Sequence, residues 1–124
     1  MLAVFADRAP RALVETLGQT GCAVIAAHPD QDILRLVTKH RVDVLILGPT
    51  GRDESSADLC RGLRQARAVR RLPVVLFDPD PDAARRTEAF AAGADDVWST
   101  PPDPAEVRAK TAAWARFRRL GRAH

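Results

Sequence analysis

The chain has no tyrosine, few aromatic residues of any kind (5%), and no apolar run near the roughly 18 residues that a membrane span needs. Leu, Val, Ala and Ile must therefore build the core, and no membrane partner is expected. Cysteine is scarce as well. Cys22 and Cys60 have no CxxC spacing and no histidine nearby, which argues against zinc and reads as two buried, reduced thiols. A Gly-rich phosphate loop, a nucleophile beside a base and a metal-ligating cluster are all missing, so no enzyme activity, metal or cofactor is expected. Asp7 and Arg8 interrupt a very short apolar start, which is no signal peptide, and the expected location is the cytoplasm. Lysine is nearly absent: arginine supplies 17 of the 19 basic residues. The net charge of +3 permits an anionic partner without arguing for one.

What is there is an alternation of short apolar runs and amphipathic stretches. Val42 to Leu47, ending at Gly48, is apolar on both faces and reads as a central strand of a parallel sheet. Leu2–Ala6, Cys22–Ala27, Leu72–Phe77 and Val97–Ser99 read as further strands. Between them lie helices with apolar faces at Leu13, Val14 and Leu17, at Ile33, Leu34 and Val37, and at Leu59, Cys60 and Leu63. The second helix is expected to open at Pro29-Asp30, a fourth spans Ala83 to Ala92 up to Gly93, and a last one runs from about Ala105 to Leu120. Strands joined by helical crossovers lie parallel with right-handed connections, so the fold class is a doubly wound α/β sheet with helices on both faces. Sites in such sheets form beyond the carboxyl ends of the strands.

Val42-Asp43-Val44-Leu45-Ile46-Leu47, followed by Leu59-Cys60-Arg61-Gly62-Leu63-Arg64, resembles the middle of response-regulator receiver domains. Leu72-Pro73-Val74-Val75-Leu76-Phe77 is similar to their fourth strand. Ala91-Ala92-Gly93-Ala94-Asp95-Asp96-Val97 with Thr100-Pro101 is similar to their "AGADDY…KP" stretch, and Asp103 to Val107 to the start of their last helix. The resemblance implies a flavodoxin-like sheet of order 2-1-3-4-5, one receiver-like domain over residues 1–120, and residues 121–124 as a tail that could begin a linker to an output domain.

The family's phosphorylation chemistry is where the chain departs. The acidic pair that helps hold Mg²⁺ falls on Ala6 and Asp7, the phosphoacceptor aspartate on Gly48, the hydroxyl residue of the fourth strand on Asp78, and the lysine on Thr100. Glycine offers no reacting atom, Mg²⁺ needs oxygen ligands, and loss of the lysine removes a cation that would stabilise phosphate. The expectation is a degenerate receiver, regulatory rather than enzymatic. It would act through a protein partner or a homodimer, using the last two helices and fifth strand, with Val97, Trp98, Trp114 and Phe117 as surface candidates. The alternative is a small-molecule-binding domain using the cleft at the strand ends, lined by Gly48, Pro49-Thr50-Gly51 and Asp78. The resemblance also implies a cis bond before Pro101.

Plainer readings hold elsewhere. Asp53 and Glu54 read as loop acids that cap the third helix, and Asp78, Asp80 and Asp82 as a proline-stiffened turn with Asp82 capping the next helix. His28, His40 and His124 read as surface residues. Arg61, Arg64, Arg67, Arg70 and Arg71 recur at helical spacing and read as a mostly outward, solvated helix face. The other reading is a surface for an acidic partner or nucleic acid. No aromatic residue is interleaved for base stacking, so nucleic acid is not expected as a partner of this domain alone.

Overall fold

A computed structural model describes residues 1–7, 9–21, 23–51, 55–79 and 82–122, without the side chains of 117–122. Among them run β1 (Leu2–Val4), α1 (Arg11–Gly18), β2 (Ile25–Ala27), α2 (Ile33–Lys39), β3 (Leu45–Leu47), α3 (Ser56–Leu63), β4 (Val74–Phe77), α4 (Ala83–Ala91), β5 (Asp96–Trp98) and α5 (Pro104–Arg122). All strand pairs are parallel and the order is β2-β1-β3-β4-β5.

Side chains alternate between two cores, as the period of a strand requires. Leu2, Val4, Leu45, Leu47, Val74, Leu76 and Val97 pack with Ile33, Val37, Cys60 and Ala89, under α2, α3 and α4. Ala3, Phe5, Ile46, Val75, Phe77 and Trp98 pack with Leu13, Leu17 and Val107, under α1 and α5. Leu45, Ile46 and Leu47 have no exposed surface, and burying each such side chain stabilises the fold by about 1.5–3 kcal/mol.

Helix starts follow local hydrogen-bonding chemistry. Asp32 accepts from the Arg35 N–H, and Asp82 from the Arg85 N–H as expected. The capping residue of α3 is Ser55, where Asp53 and Glu54 were expected: Ser55 and Asp58 form a reciprocal capping box, whose hydrogen bonds hold the exposed Asp58 carboxyl below its usual pKa. The second helix does not open at Pro29-Asp30. His28 to Gln31 instead close a turn, with the Gln31 N–H on the His28 carbonyl, and Asp32 takes the capping position.

Other expectations need correction. The regular strands are shorter than their apolar runs, which continue into connecting backbone, and the fifth is shifted to Asp96–Trp98. Val14 is 47% exposed, because α1 buries only the Leu13–Leu17 stripe. The arginines do not share one helix face: α3 ends at Leu63, and residues beyond Arg64 enter tight turns, Gln65 N–H to Gly62 and Ala66 N–H to Leu63. The Thr100–Pro101 bond is trans, the commoner isomer. Cys60 is buried, and burial pushes its thiol pKa up. Cys22, Asp53, Glu54, Asp80 and His124 lie outside the described residues. Among the described residues, no helix is long and apolar enough to cross a membrane.

Candidate functional site

The carboxyl ends of β1, β3, β4 and β5 sit side by side, so the residues just past them meet at one edge. Backbone hydrogen bonds continue there: Gly48 N–H to Val4 at 2.9 Å, Ala6 N–H to Pro49 at 3.1 Å, and Asp78 N–H to Trp98 at 2.9 Å. The loop after β3 is thereby tied to the end of β1.

Gly48 lies under the ring of Phe5. A Cβ at residue 48 would stand 2.1 Å from two atoms of that ring, a distance no real contact allows. The ring is fixed by burial and by Phe77, at a centroid separation of 6.0 Å and a tilt of 58°. Gly51 has φ +68°, and a Cβ there would come 2.9 Å from the Ala6 methyl. The strand-end edge between β1 and β3 is thus closed by carbon.

The other positions spread apart. Asp7 and Thr100 are exposed and Ala6 is half-buried. The Asp78 carboxylate, with its side chain 18% exposed, is 2.9 Å from the Arg85 guanidinium. With Pro49, Thr50, Gly51, Ser55 and Ser56 this ion pair lines a cleft of about 210 Å³. Gly48, Ala6, Asp7 and Thr100 do not line that cleft. The donors suit Mg²⁺ poorly. Asp7 is the one carboxylate left of the acidic pair, and Asp78 is already matched by a cation. The residues present do not fit a Mg²⁺ centre of the kind the resemblance implies.

At the amino ends of β4 and β5 lies a polar network. The Arg64 guanidinium, only 16% exposed, donates to the carbonyls of Gly93, Val69 and Leu72 and to Asp95 Oδ2 at 2.8 Å. Asp95 Oδ2 also accepts from the Val74 N–H at 2.8 Å. Gly93, at φ +104°, lets the Arg64 stem approach: a Cβ would stand 3.1 Å from Arg64 Cγ. Asp96 accepts from the Trp98 indole N–H at 2.9 Å and from Lys110 Nζ at 2.6 Å. Burial opposes its charge, but the hydrogen bonds from Lys110, Trp98 and the Val97 N–H outweigh it and hold the carboxyl below its usual range. The same hydrogen bond to Asp96 raises the Lys110 pKa.

This network corrects two expectations. Val97 and Trp98, read as surface candidates, are buried, because β5 sends alternate side chains into the two cores and the indole is anchored to Asp96. Trp114 is partly buried against the α1/α5 core. The side chain of Phe117 lies outside the described residues. Sequence reasoning missed Phe5, Arg64 and Arg85. The signal for Arg64 was the Gly93-Ala94-Asp95-Asp96 run itself, whose glycine and first acid receive the guanidinium.

Neither a family model nor a curated protein matches the sequence. Solved structures do. A two-component response regulator from Clostridium difficile superposes with a TM-score of 0.73 at 21% identity, over 93% of each chain. The chain has the receiver fold. A response regulator protein from Burkholderia multivorans is 26% identical over 92% of each chain, with a TM-score of 0.66. An atypical orphan response regulator, whose structure is described as revealing a phosphorylation-independent regulatory mechanism, matches at a TM-score of 0.69 and 16% identity over 94% of each chain. The strand order and the five helices are those of this receiver fold.

Proposed function

We propose that this chain is a receiver-like signalling module that works without phosphorylation, through contact with a protein partner or a second copy. The observation that carries this reading is the Phe5 ring in the space that any side chain at residue 48 would need. A phosphoacceptor requires a carboxylate projecting from that strand end, and glycine supplies neither the nucleophile nor room for one. Three further features support it. Asp7 is exposed, Asp78 is neutralised by Arg85, and Thr100 brings no cation for a phosphoryl group. The degenerate pocket is then Ala6, Asp7, Gly48, Asp78 and Thr100. The partner face proposed is that of α4, β5 and α5, where Phe90 is 45% exposed and Trp114 only partly covered, with a fused output domain as one form the partner could take.

Incubation with beryllium fluoride or acetyl phosphate and Mg²⁺, followed by amide NMR, tests the reading. No saturable shifts are expected. Specific saturable shifts around Gly48 and Thr100 would refute it. The cleft beside Asp78 and Arg85 supports a second reading, a small-molecule regulatory domain, because three hydroxyl-bearing residues and an ion pair converge there. Thermal stabilisation by a metabolite, abolished by Ser56→Val, would favour it.

A further inference from the structure

The sheet has two edge strands, and their chemistry differs. β5 carries Asp96, which holds Lys110 of α5. Charge on an edge strand discourages pairing with another strand. β2 has no such guard: residues 21–27 include no charged residue and no proline. The Met1 ammonium donates to the Ala23 carbonyl at 2.8 Å, the Ile25 N–H to the Met1 carbonyl at 2.9 Å, and the Phe5 N–H to the Ala27 carbonyl at 3.1 Å. Residues 23, 25 and 27 therefore turn their backbone groups to β1. Alternation along the strand turns the N–H and C=O groups of Val24 and Ala26 the other way. Among the described residues no strand lies on that side, and Ala26 is exposed. The open edge ends at His28, whose N–H donates to Gln31 Oε1 at 2.7 Å and whose carbonyl accepts from the Gln31 N–H at 2.9 Å.

We infer that this edge pairs with β2 of a second copy of the chain, antiparallel, about a two-fold axis at Ile25. That register sets Val24 of each copy opposite Ala26 of the other, and each such pair exchanges both its N–H and C=O groups. A register shifted toward His28 would meet the groups already bonded to Gln31. The flanking helices favour a copy over an unrelated strand. Ile25 packs into the core under α2, and Val24 into the core under α1. α2 has the exposed Asp32 at its start and the exposed Lys39 in its last turn. α1 has Arg11 at its start and Glu15 one turn further on, both exposed. The two-fold axis runs each helix antiparallel to its counterpart, so opposite charges approach on both faces. A parallel neighbour would set like against like. Val14, 47% exposed on α1, adds apolar surface to the same flank. The strand is short, so the association is weak. The sheet of five strands becomes one of ten, with α4, β5 and α5 at each outer end. This interface therefore goes beyond the partner face proposed above and leaves that face accessible.

The test is sedimentation equilibrium of the full chain from about 10 μM to about 1 mM, with amide NMR at both limits. The average mass is expected to rise from the 13.5 kDa of one chain toward twice that, with concentration-dependent shifts centred on residues 24–26. Ala26→Pro removes the outward N–H and spares the pairing with β1, since an edge strand tolerates proline where its N–H faces out. This variant is expected to stay monomeric throughout, with an unchanged amide spectrum away from β2. Lys39→Glu should weaken association about threefold, and Phe90→Ala on α4 should leave it unchanged. Isotope-filtered NOEs between labelled and unlabelled copies, expected between Val24 and Ala26, decide the matter if the proline variant misfolds. The proposal is overturned by a monomer at the highest concentration, by association that a folded Ala26→Pro leaves intact, or by association that Phe90→Ala abolishes. A chain that stays monomeric while a different protein adds its strand to β2 would also overturn it. None of these outcomes touches the phosphorylation-independent reading, which the beryllium fluoride titration tests separately.

Discussion

The two ends of the sheet are built from opposite materials. At the carboxyl end, between β1 and β3, an aromatic ring and two glycines close the edge, and the charges nearby are spread apart or paired off. At the amino end, Arg64 and Asp95 tie α3, β4 and the turn before β5 into one network, and Asp96 with Lys110 ties β5 to α5. The residues that resemble receiver domains most specifically, Gly93 through Asp96, belong to the second group. They hold the scaffold together whatever happens at the carboxyl end. The residues that depart from the resemblance, Ala6, Gly48, Asp78 and Thr100, would matter for phosphate, and the first three serve local packing instead: Gly48 makes room for Phe5, the Ala6 N–H bonds Pro49, and Asp78 pairs with Arg85. A fold signature and a chemical signature can thus part company within one small domain.

The largest effect is expected from removing the Arg64 hub. Arg64→Ala removes the side-chain donor shared by three carbonyls and the Asp95 carboxylate, of which Val69 keeps the Leu72 N–H and Asp95 the Val74 N–H, and should cost about 2–4 kcal/mol in chemical denaturation. A loss under about 1 kcal/mol would show that the amino end is not held by this side chain.

Next comes the carboxyl end. Gly48→Ala forces a methyl into the Phe5 ring and should cost about 1–3 kcal/mol, but clearly less on a Phe5→Ala background. Strict additivity in that double-mutant cycle would remove the ring as the occupant of the site.

Gly93→Ala meets both a left-handed backbone and the Arg64 stem, and should cost about 1–2 kcal/mol. On an Arg64→Ala background only the backbone part should remain.

The smallest effect concerns acid. Asp96 has a folded pKa below its unfolded value, so its contribution is present above about pH 4 and fades as pH falls through the folded value. Asp96→Asn should flatten the acid limb of stability and change the fluorescence of Trp98, whose indole N–H the carboxylate holds. An identical acid limb in both proteins would show that this carboxylate is not linked to folding.

Element order, sheet class and the central strand were legible because they rest on periodicity and on apolar runs flanked by turn residues, as at Val42–Leu47. The chemical departures were legible one position at a time, since Gly48 offers no reacting atom wherever it sits. What sequence could not reach were contacts between distant segments. Phe5 looked like one more strand residue, and only the pairing of β1 with β3 brings it over Gly48. Arg64 looked like one of five equivalent arginines; it differs because α3 ends beside it, next to the Gly93 carbonyl. Trp98 looked available for an interface; its indole is held by Asp96, whose other partner Lys110 lies in distant α5.

The central claim is that the carboxyl end cannot be phosphorylated, and that this does not hang on one missing residue. The most direct measurement is intact-mass spectrometry of Gly48→Asp, alone and combined with Phe5→Val to make room, after acetyl phosphate and Mg²⁺, with amide spectra confirming that both fold. No Mg²⁺-dependent phosphoryl adduct is predicted for either, because Ala6 and Thr100 still supply neither metal ligand nor cation. A Mg²⁺-dependent adduct on residue 48 would contradict the account.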